Sequence, residues 1–149
     1  MPKDTFSHSS KTSADRSEVW RALDWPSTWE GIGGVDRVID PLIDDLGRLQ
    51  GFTFETFVAG TKYLGEATPN AREEGRMMVL NIANSEIRGA IRVDLSDDGD
   101  GTLILVTLDV ESAGVLSAMF FPVIARSIGN GLPRAIEEFA ASFTSSPAG

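Results

Sequence analysis

From Leu116 to Phe143 the apolar residues of this chain fall on a helical period. Leu116, Phe120, Ile124, Ile128, Leu132 and Ile136 recur at every fourth position, followed by Phe139, Ala140 and Phe143. Met119 and Val123 stand beside the stripe as its i+3 partners, while Arg126, Asn130, Arg134, Glu137 and Glu138 fall on the other side. A helix of this kind has one face to hide, so the rest of the chain must supply a surface for it. The flanks of the stripe are small: Ala125, Ser127, Gly129, Gly131 and Ala135. Small flanks either let a helix approach a neighbour closely or leave volume unfilled beneath it.

Two prolines interrupt the segment. Pro122 reads as the first helical residue after a short lead-in over 114–121, where the amide it lacks would have no partner anyway. Pro133 fits that role less well, because a helix beginning there would have Leu132 as its N-cap, a poor capping residue. The stripe also keeps its phase across 129–133. The expectation is one helix of about six turns, kinked near Gly129–Pro133.

Upstream, the period is two. Asp4–Thr12 reads as a polar first strand with Phe6, His8, Ser10 and Thr12 on one face. Asp15-Arg16-Ser17-Glu18 has capping-box spacing with Asp in the cap place, and opens a helix whose apolar side is Val19, Trp20 and Leu23. Asp24-Trp25-Pro26 ends it. Pro26 opens a second short helix carrying Trp29, and Gly31-Ile32-Gly33-Gly34 leads out. Strands are then expected at 35–40, 48–58, 61–68, 76–83, 86–96 and 102–111, with loops at 41–47, 69–75 and 97–101. The strand at 86–96 alternates cleanly: Ile87, Gly89, Ile91, Val93 and Leu95 against Arg88, Ala90, Arg92 and Asp94. Hairpin-length loops imply an antiparallel sheet. Such a sheet hides one face, and the late helix supplies the cover. The predicted class is α+β: about seven strands in the order β-α-α-β6-α, curved around a long C-terminal helix. Residues 1–149 read as one domain with a polar tail over 144–149.

Ser13-Ala14-Asp15-Arg16-Ser17-Glu18-Val19-Trp20-Arg21-Ala22-Leu23 is similar to the first strand-to-helix passage of the START / Bet v 1-like superfamily, the helix-grip domains that include polyketide cyclase and lipid-transport relatives. Trp29 followed by Gly33-Gly34-Val35-Asp36-Arg37-Val38 resembles its helix-to-second-strand passage. Arg88-Gly89-Ala90-Ile91-Arg92-Val93 and Asp98-Gly99-Asp100-Gly101-Thr102-Leu103 look like its last strands and hairpin, and the terminal helix completes the pattern. The resemblance covers about residues 5 to 143. It implies a hollow between sheet and helix that holds a hydrophobic small molecule, lipid- or polyketide-like. Alternatives within the same resemblance are a polyketide cyclase or aromatase, and a module that regulates a chaperone or another protein. The pronounced glycine kink at 129–131 and the polar first strand depart from the family pattern.

Core packing explains each large apolar residue taken singly. As a set, the resemblance implies that Trp29, Phe54, Met78, Leu80, Ile91, Met119, Phe120, Val123, Ile124 and Ser127 line the hollow, with Met supplying adaptable walls. No catalytic motif accompanies them, and whether the chain is an enzyme is left open. The sequence has one His, His8, and no Cys, so a Cys/His zinc site is excluded and no Ser-His pair with a Gly-x-Ser-x-Gly elbow is present. Asp97, Asp98 and Asp100 lack the closing Glu of a calcium loop and read as an acidic hairpin turn. Asp40, Asp44 and Asp45 read as a solvated acidic edge, not as an acid–base pair. Tyr63, the only tyrosine, could polarise a carbonyl if it faces inward, whereas the alternation turns Arg88 and Arg92 outward. No metal or cofactor is implied.

The formal net charge of −9 opposes a nucleic-acid partner or an anionic membrane bound by charge alone. No run of about 18 apolar residues is present, so integral membrane association is not expected. The start of the chain has no apolar run like that of a signal peptide. A cytoplasmic location, as monomer or homodimer, is the default expectation.

Overall fold

The computed structural model describes residues 3–32, 35–58, 60–113 and 115–144; within that range the side chains at 58, 115–118, 120, 124, 127 and 144 fall outside the description. The elements are β1 (Lys3–Thr12), α1 (Arg16–Ala22), a 3-10 helix (Pro26–Trp29), β2 (Arg37–Ile43), β3 (Leu49–Val58), β4 (Thr61–Glu73), β5 (Met77–Ala83), β6 (Ile87–Asp98), β7 (Gly101–Ser112), α2 (Val115–Asn130) and α3 (Leu132–Thr144). The seven strands form one curved antiparallel sheet in the order β1-β7-β6-β5-β4-β3-β2. Five of its six pairings join strands consecutive in the chain; β1 closes onto β7 from the far end of the sequence.

The period-two pattern decides which face is inner. Phe52, Phe54 and Thr56 on β3 are buried, as are Met78, Leu80 and Ile82 on β5, and Ile104, Val106, Leu108 and Val110 on β7. Their alternate neighbours face outward, among them Arg88 and Arg92, as the alternation requires. The helices cover this inner face.

At α1 the capping expectation is met: the Asp15 carboxylate accepts from the Glu18 amide at 2.8 Å. Val19, Trp20 and Leu23 are buried beneath the helix. Asp24 ties its end to the sheet. Its carboxylate takes two bonds from the Arg72 guanidinium, both 2.8 Å, and one from the Leu49 amide at 3.0 Å.

The loop expected at 69–75 is mostly strand. Pro69 pairs opposite Leu80, a register shift follows, and Ala71, Arg72 and Glu73 continue the ladder. A bulge is where a sheet tolerates proline, since the missing amide falls where the pairing is already broken. The loop expected at 97–101 shrinks likewise: Asp97 and Asp98 pair with Thr102 and Gly101, leaving Gly99-Asp100 as the turn. β2 runs on past Pro41 to Ile43 through irregular register, with Asp40 at a φ of 48°.

The C-terminal helix departs from expectation at both prolines. α2 begins at Val115, so Pro122 lies inside it and not at its first turn. The long helix is also divided at Gly131 instead of bending continuously. α3 starts at Leu132, and the Ala135 amide donates to the Gly131 carbonyl at 3.1 Å. The capping objection to a break disappears, because Gly131 and not Leu132 precedes α3, and Pro133 then sits in the first turn where its missing donor costs nothing. The buried stripe keeps its phase through Ile128, Leu132, Ile136 and Ala140.

Candidate functional site

The inner face of the sheet has two ends. At one end, where α1 follows β1, the surface is apolar and filled by aromatic side chains. Trp29 is fully buried and its indole N–H donates to the Leu23 carbonyl at 3.0 Å. Trp20 is buried except for its edge, where the indole N–H donates to Glu74 at 2.8 Å and the Arg72 guanidinium stacks 5.1 Å from the ring. Phe52 and Phe54 meet edge to face at 6.1 Å. With Leu23, Leu49, Met78, Leu80, Ile91 and Ile104, these groups belong to one continuous core. The polar atoms at this end are satisfied by neighbours: the Thr102 hydroxyl donates to the Ala14 carbonyl at 2.8 Å.

The other end, from which α2 departs, is different in kind. Here the inner positions include Thr56, Tyr63 and Ser112. Thr56 and Tyr63 stand opposite one another on β3 and β4, and Ser112 ends β7 opposite Ile87. Thr56 and Ser112 are buried and Tyr63 is half-buried. Two inner positions at this end, Gly65 and Gly89, carry no side chain. The ring of Phe54 lies over Gly65: a Cβ there would come within 2.6 Å of Phe54 Cζ.

α2 packs on β7 and β1, with Phe121, Ala125 and Ile128 buried. It comes close to β1 at Gly129, where a Cβ would lie 2.5 Å from the Phe6 ring. At that flank the small residue serves close approach and leaves no volume unfilled. α3 continues along β1, and the His8 Nε2 lies 2.8 Å from Glu137 Oε1. The Glu137 carboxyl is held below its ordinary range, first by the His8 hydrogen bond and then by one from Ser10.

Of the ten residues expected to line a hollow, Trp29, Phe54, Met78, Leu80 and Ile91 are brought together in the core, each no more than 2% exposed. Met119 and Val123 are not beneath the helix: they are 73% and 66% exposed, on its outer side. The reason is rotational. Phe121 and Ala125 face the sheet, and residues two positions away stand about 200° round the helix and face outward. Phe120, Ile124 and Ser127 belong to the side chains outside the description. Two inward hydroxyls escaped the sequence reading as site groups. Thr56 stands in an alternation otherwise made of Phe and Val, and Ser112 continues the inner row of Ile104, Val106, Leu108 and Val110 by one more step. Extending that row to its end would have found it.

No protein-family model matches the sequence, and no characterised protein matches it significantly. Solved structures do match. A START superfamily protein from Mycobacterium smegmatis superposes with a TM-score of 0.69 at 14% identity, over 93% of this chain and 98% of the other. The Zhui aromatase/cyclase from Streptomyces sp. R1128 gives 0.70 at 14% identity, over 99% of both chains. Ara h 8.0201 gives 0.56 at 14%, over 95% of this chain and 99% of that one. The chain has the START / Bet v 1-like fold. At such identities the likeness is one of architecture, and it agrees with the helix-grip arrangement expected from the sequence.

Proposed function

We propose that this START / Bet v 1-like domain binds a neutral, largely apolar small molecule at the α2 end of its inner face. The observation that carries the reading is the placing of three hydroxyls, from Thr56, Tyr63 and Ser112, at the α2 end of the inner face. A hydroxyl carries one donor and two acceptor lone pairs, so one that is bonded within the protein still has capacity to meet a ligand group. A few polar groups on an apolar wall are what orients a small ligand and gives selectivity. Thr56, Tyr63, Gly65, Ile87, Gly89 and Ser112 are themselves uncharged, which suits an uncharged molecule with one or two carbonyl or hydroxyl groups. α2 forms the other wall, and its expected lining residues Phe120, Ile124 and Ser127 belong to this proposal.

The test is native mass spectrometry of the purified protein, with solvent extraction of any bound species, and displacement of the neutral probe N-phenyl-1-naphthylamine. Probe binding is expected to weaken in Ser112→Leu and Thr56→Leu and to be unchanged in Met119→Ala, which alters only the outer side of α2. No retained species and no probe binding would overturn the reading.

Tyr63 favours a second reading, a cyclase- or aromatase-type enzyme. It is the chain's only phenol, it faces inward, and it could donate a proton to a substrate carbonyl. Turnover of a polyketide-like substrate that survives Tyr63→Phe together with His8→Ala would remove the acid–base groups this reading depends on.

A further inference from the structure

Away from the sheet, a groove of about 330 Å³ runs between the 3-10 helix and α3. Its walls carry three aromatic side chains, Trp25, Phe139 and Phe143, and two carboxylates, Glu30 and Glu138; among the described residues no lysine, arginine or histidine lines it. The local sequence explains the arrangement. Pro26 holds Trp25 in an extended conformation, φ −85° and ψ 121°, so Trp25 leaves α1 instead of packing beneath it. Trp25 is 57% exposed, whereas Trp20 and Trp29 are buried. Across the groove, Phe139 and Phe143 lie one helical turn apart and meet edge to face, with centroids 5.2 Å apart. Glu30 Oε2 accepts from the Val38 amide at 2.9 Å, and Glu138 Oε1 accepts from Arg134 Nε at 3.0 Å. Neither bond uses the second oxygen. Arg134 is 86% exposed and stands outside the groove.

We infer that this groove binds an organic cation of the substituted-ammonium type. Aromatic faces attract a cation through the ring quadrupole, tryptophan most strongly, and a greasy ammonium also gains from contact with the rings. The carboxylates supply the complementary charge, and the chain's net charge of −9 raises the local concentration of cations. An anion would be repelled by the same groups, and a bare metal ion would gain nothing from the rings. None of the lining residues belongs to the sheet, so the inference stands independently of the ligand proposed for the inner face.

The experiment is an NMR titration of the intact 15N-labelled protein with choline, followed at the Trp25 indole N–H. The control is 3,3-dimethylbutan-1-ol, which has the same shape without the charge. A saturable shift is expected with choline, with the neutral isostere about tenfold weaker or worse. Replacing both carboxylates, Glu30→Gln with Glu138→Gln, keeps the bond from Val38 possible and is expected to weaken choline about tenfold. Trp25→Ala removes an exposed ring and is expected to abolish the shifts at Phe139 and Phe143 while leaving thermal unfolding unchanged. Equal binding of the two isosteres, unchanged affinity in the double glutamine variant, or no saturable shift would each overturn the inference.

Discussion

The two ends of the inner sheet face are built on opposite plans. The α1 end is closed by large side chains, among them Trp20, Trp29, Phe52 and Phe54, with the two indoles bonded to Glu74 and Leu23. The α2 end presents Tyr63 and the hydroxyls of Thr56 and Ser112 among positions where glycine replaces a side chain. One sheet supports both because the hairpins run from end to end. On β3, Phe52 and Phe54 lie towards the α1 end and Thr56 towards the other, and on β7 the row Ile104, Val106, Leu108 and Val110 ends at Ser112. On the function proposed above, stability and recognition are separated along the strands of a single sheet, the first concentrated where α1 and the 3-10 helix cover it.

If that division is right, substitutions at the two ends should differ in size before they differ in kind. The largest effect belongs to Trp29→Ala, which empties a fully buried site and leaves the Leu23 carbonyl without its donor. Urea denaturation should show a loss of about 3–5 kcal/mol. A loss under about 1 kcal/mol would mean that the α1 end is not the stabilising half. Next comes the Asp24–Arg72 pair, whose side chains are 14% and 19% exposed. Asp24→Asn leaves the Arg72 charge short of its partner and weakens the anchor on Leu49, for an expected loss of about 2–3 kcal/mol, below that of a fully buried pair.

The glycines test the α2 end more finely. Gly65→Ala and Gly129→Ala each force an aromatic ring aside, at about 1–3 kcal/mol. They should respond differently to rescue. Around Gly129 the nearest atoms all belong to the Phe6 ring, so Phe6→Leu should restore most of the loss. Around Gly65 the Ala83 carbonyl also lies within 2.9 Å, and shrinking Phe54 cannot move a backbone. Equal rescue at both sites would erase the distinction between a helix-to-sheet contact and a ring folded over its own sheet.

Much of this was legible in the sequence. The alternation in β6 and β7 fixed the inner face, Asp15 and Glu18 placed the start of α1, and the stripe from Ile128 to Ala140 placed the buried side of the terminal helix. What escaped notice has physical causes. Pro69 looked like a terminator because period and propensity do not reveal a bulge, which is a property of two strands together. Pro122 looked like a helix start, and Met119 and Val123 looked inward because they stand at i+3 beside the stripe, whereas Phe121 and Ala125 are the residues α2 buries. From Leu116 to Ala125 only Ser117 is polar, so hydrophobicity alone could not set the rotation of this stretch. The Trp25 groove had no signal of its own, since it joins residues more than a hundred positions apart.

The smallest expected effect is at the seam where α3 crosses β1, between the two ends, and its sign can be worked out. The Glu137 carboxyl is held below its ordinary value of 4.5 by His8 and then Ser10. A carboxyl depressed in the folded state stabilises the fold above its unfolded pKa, and that contribution is lost as pH falls through the folded value. Glu137→Gln should therefore be less stable than the native chain at pH 7, and the difference should vanish on acidification below the ordinary carboxylate range. His8→Ala should move the Glu137 titration, followed by carboxyl 13C NMR, back towards 4.5. Because both groups are partly solvated, added salt should shrink the difference at pH 7 as well. A native Glu137 that titrates at its ordinary value would mean that α3 is not held to β1 by this bond in solution, and the packing of Phe6 on Gly129 would then be left to fix the helix along the strand.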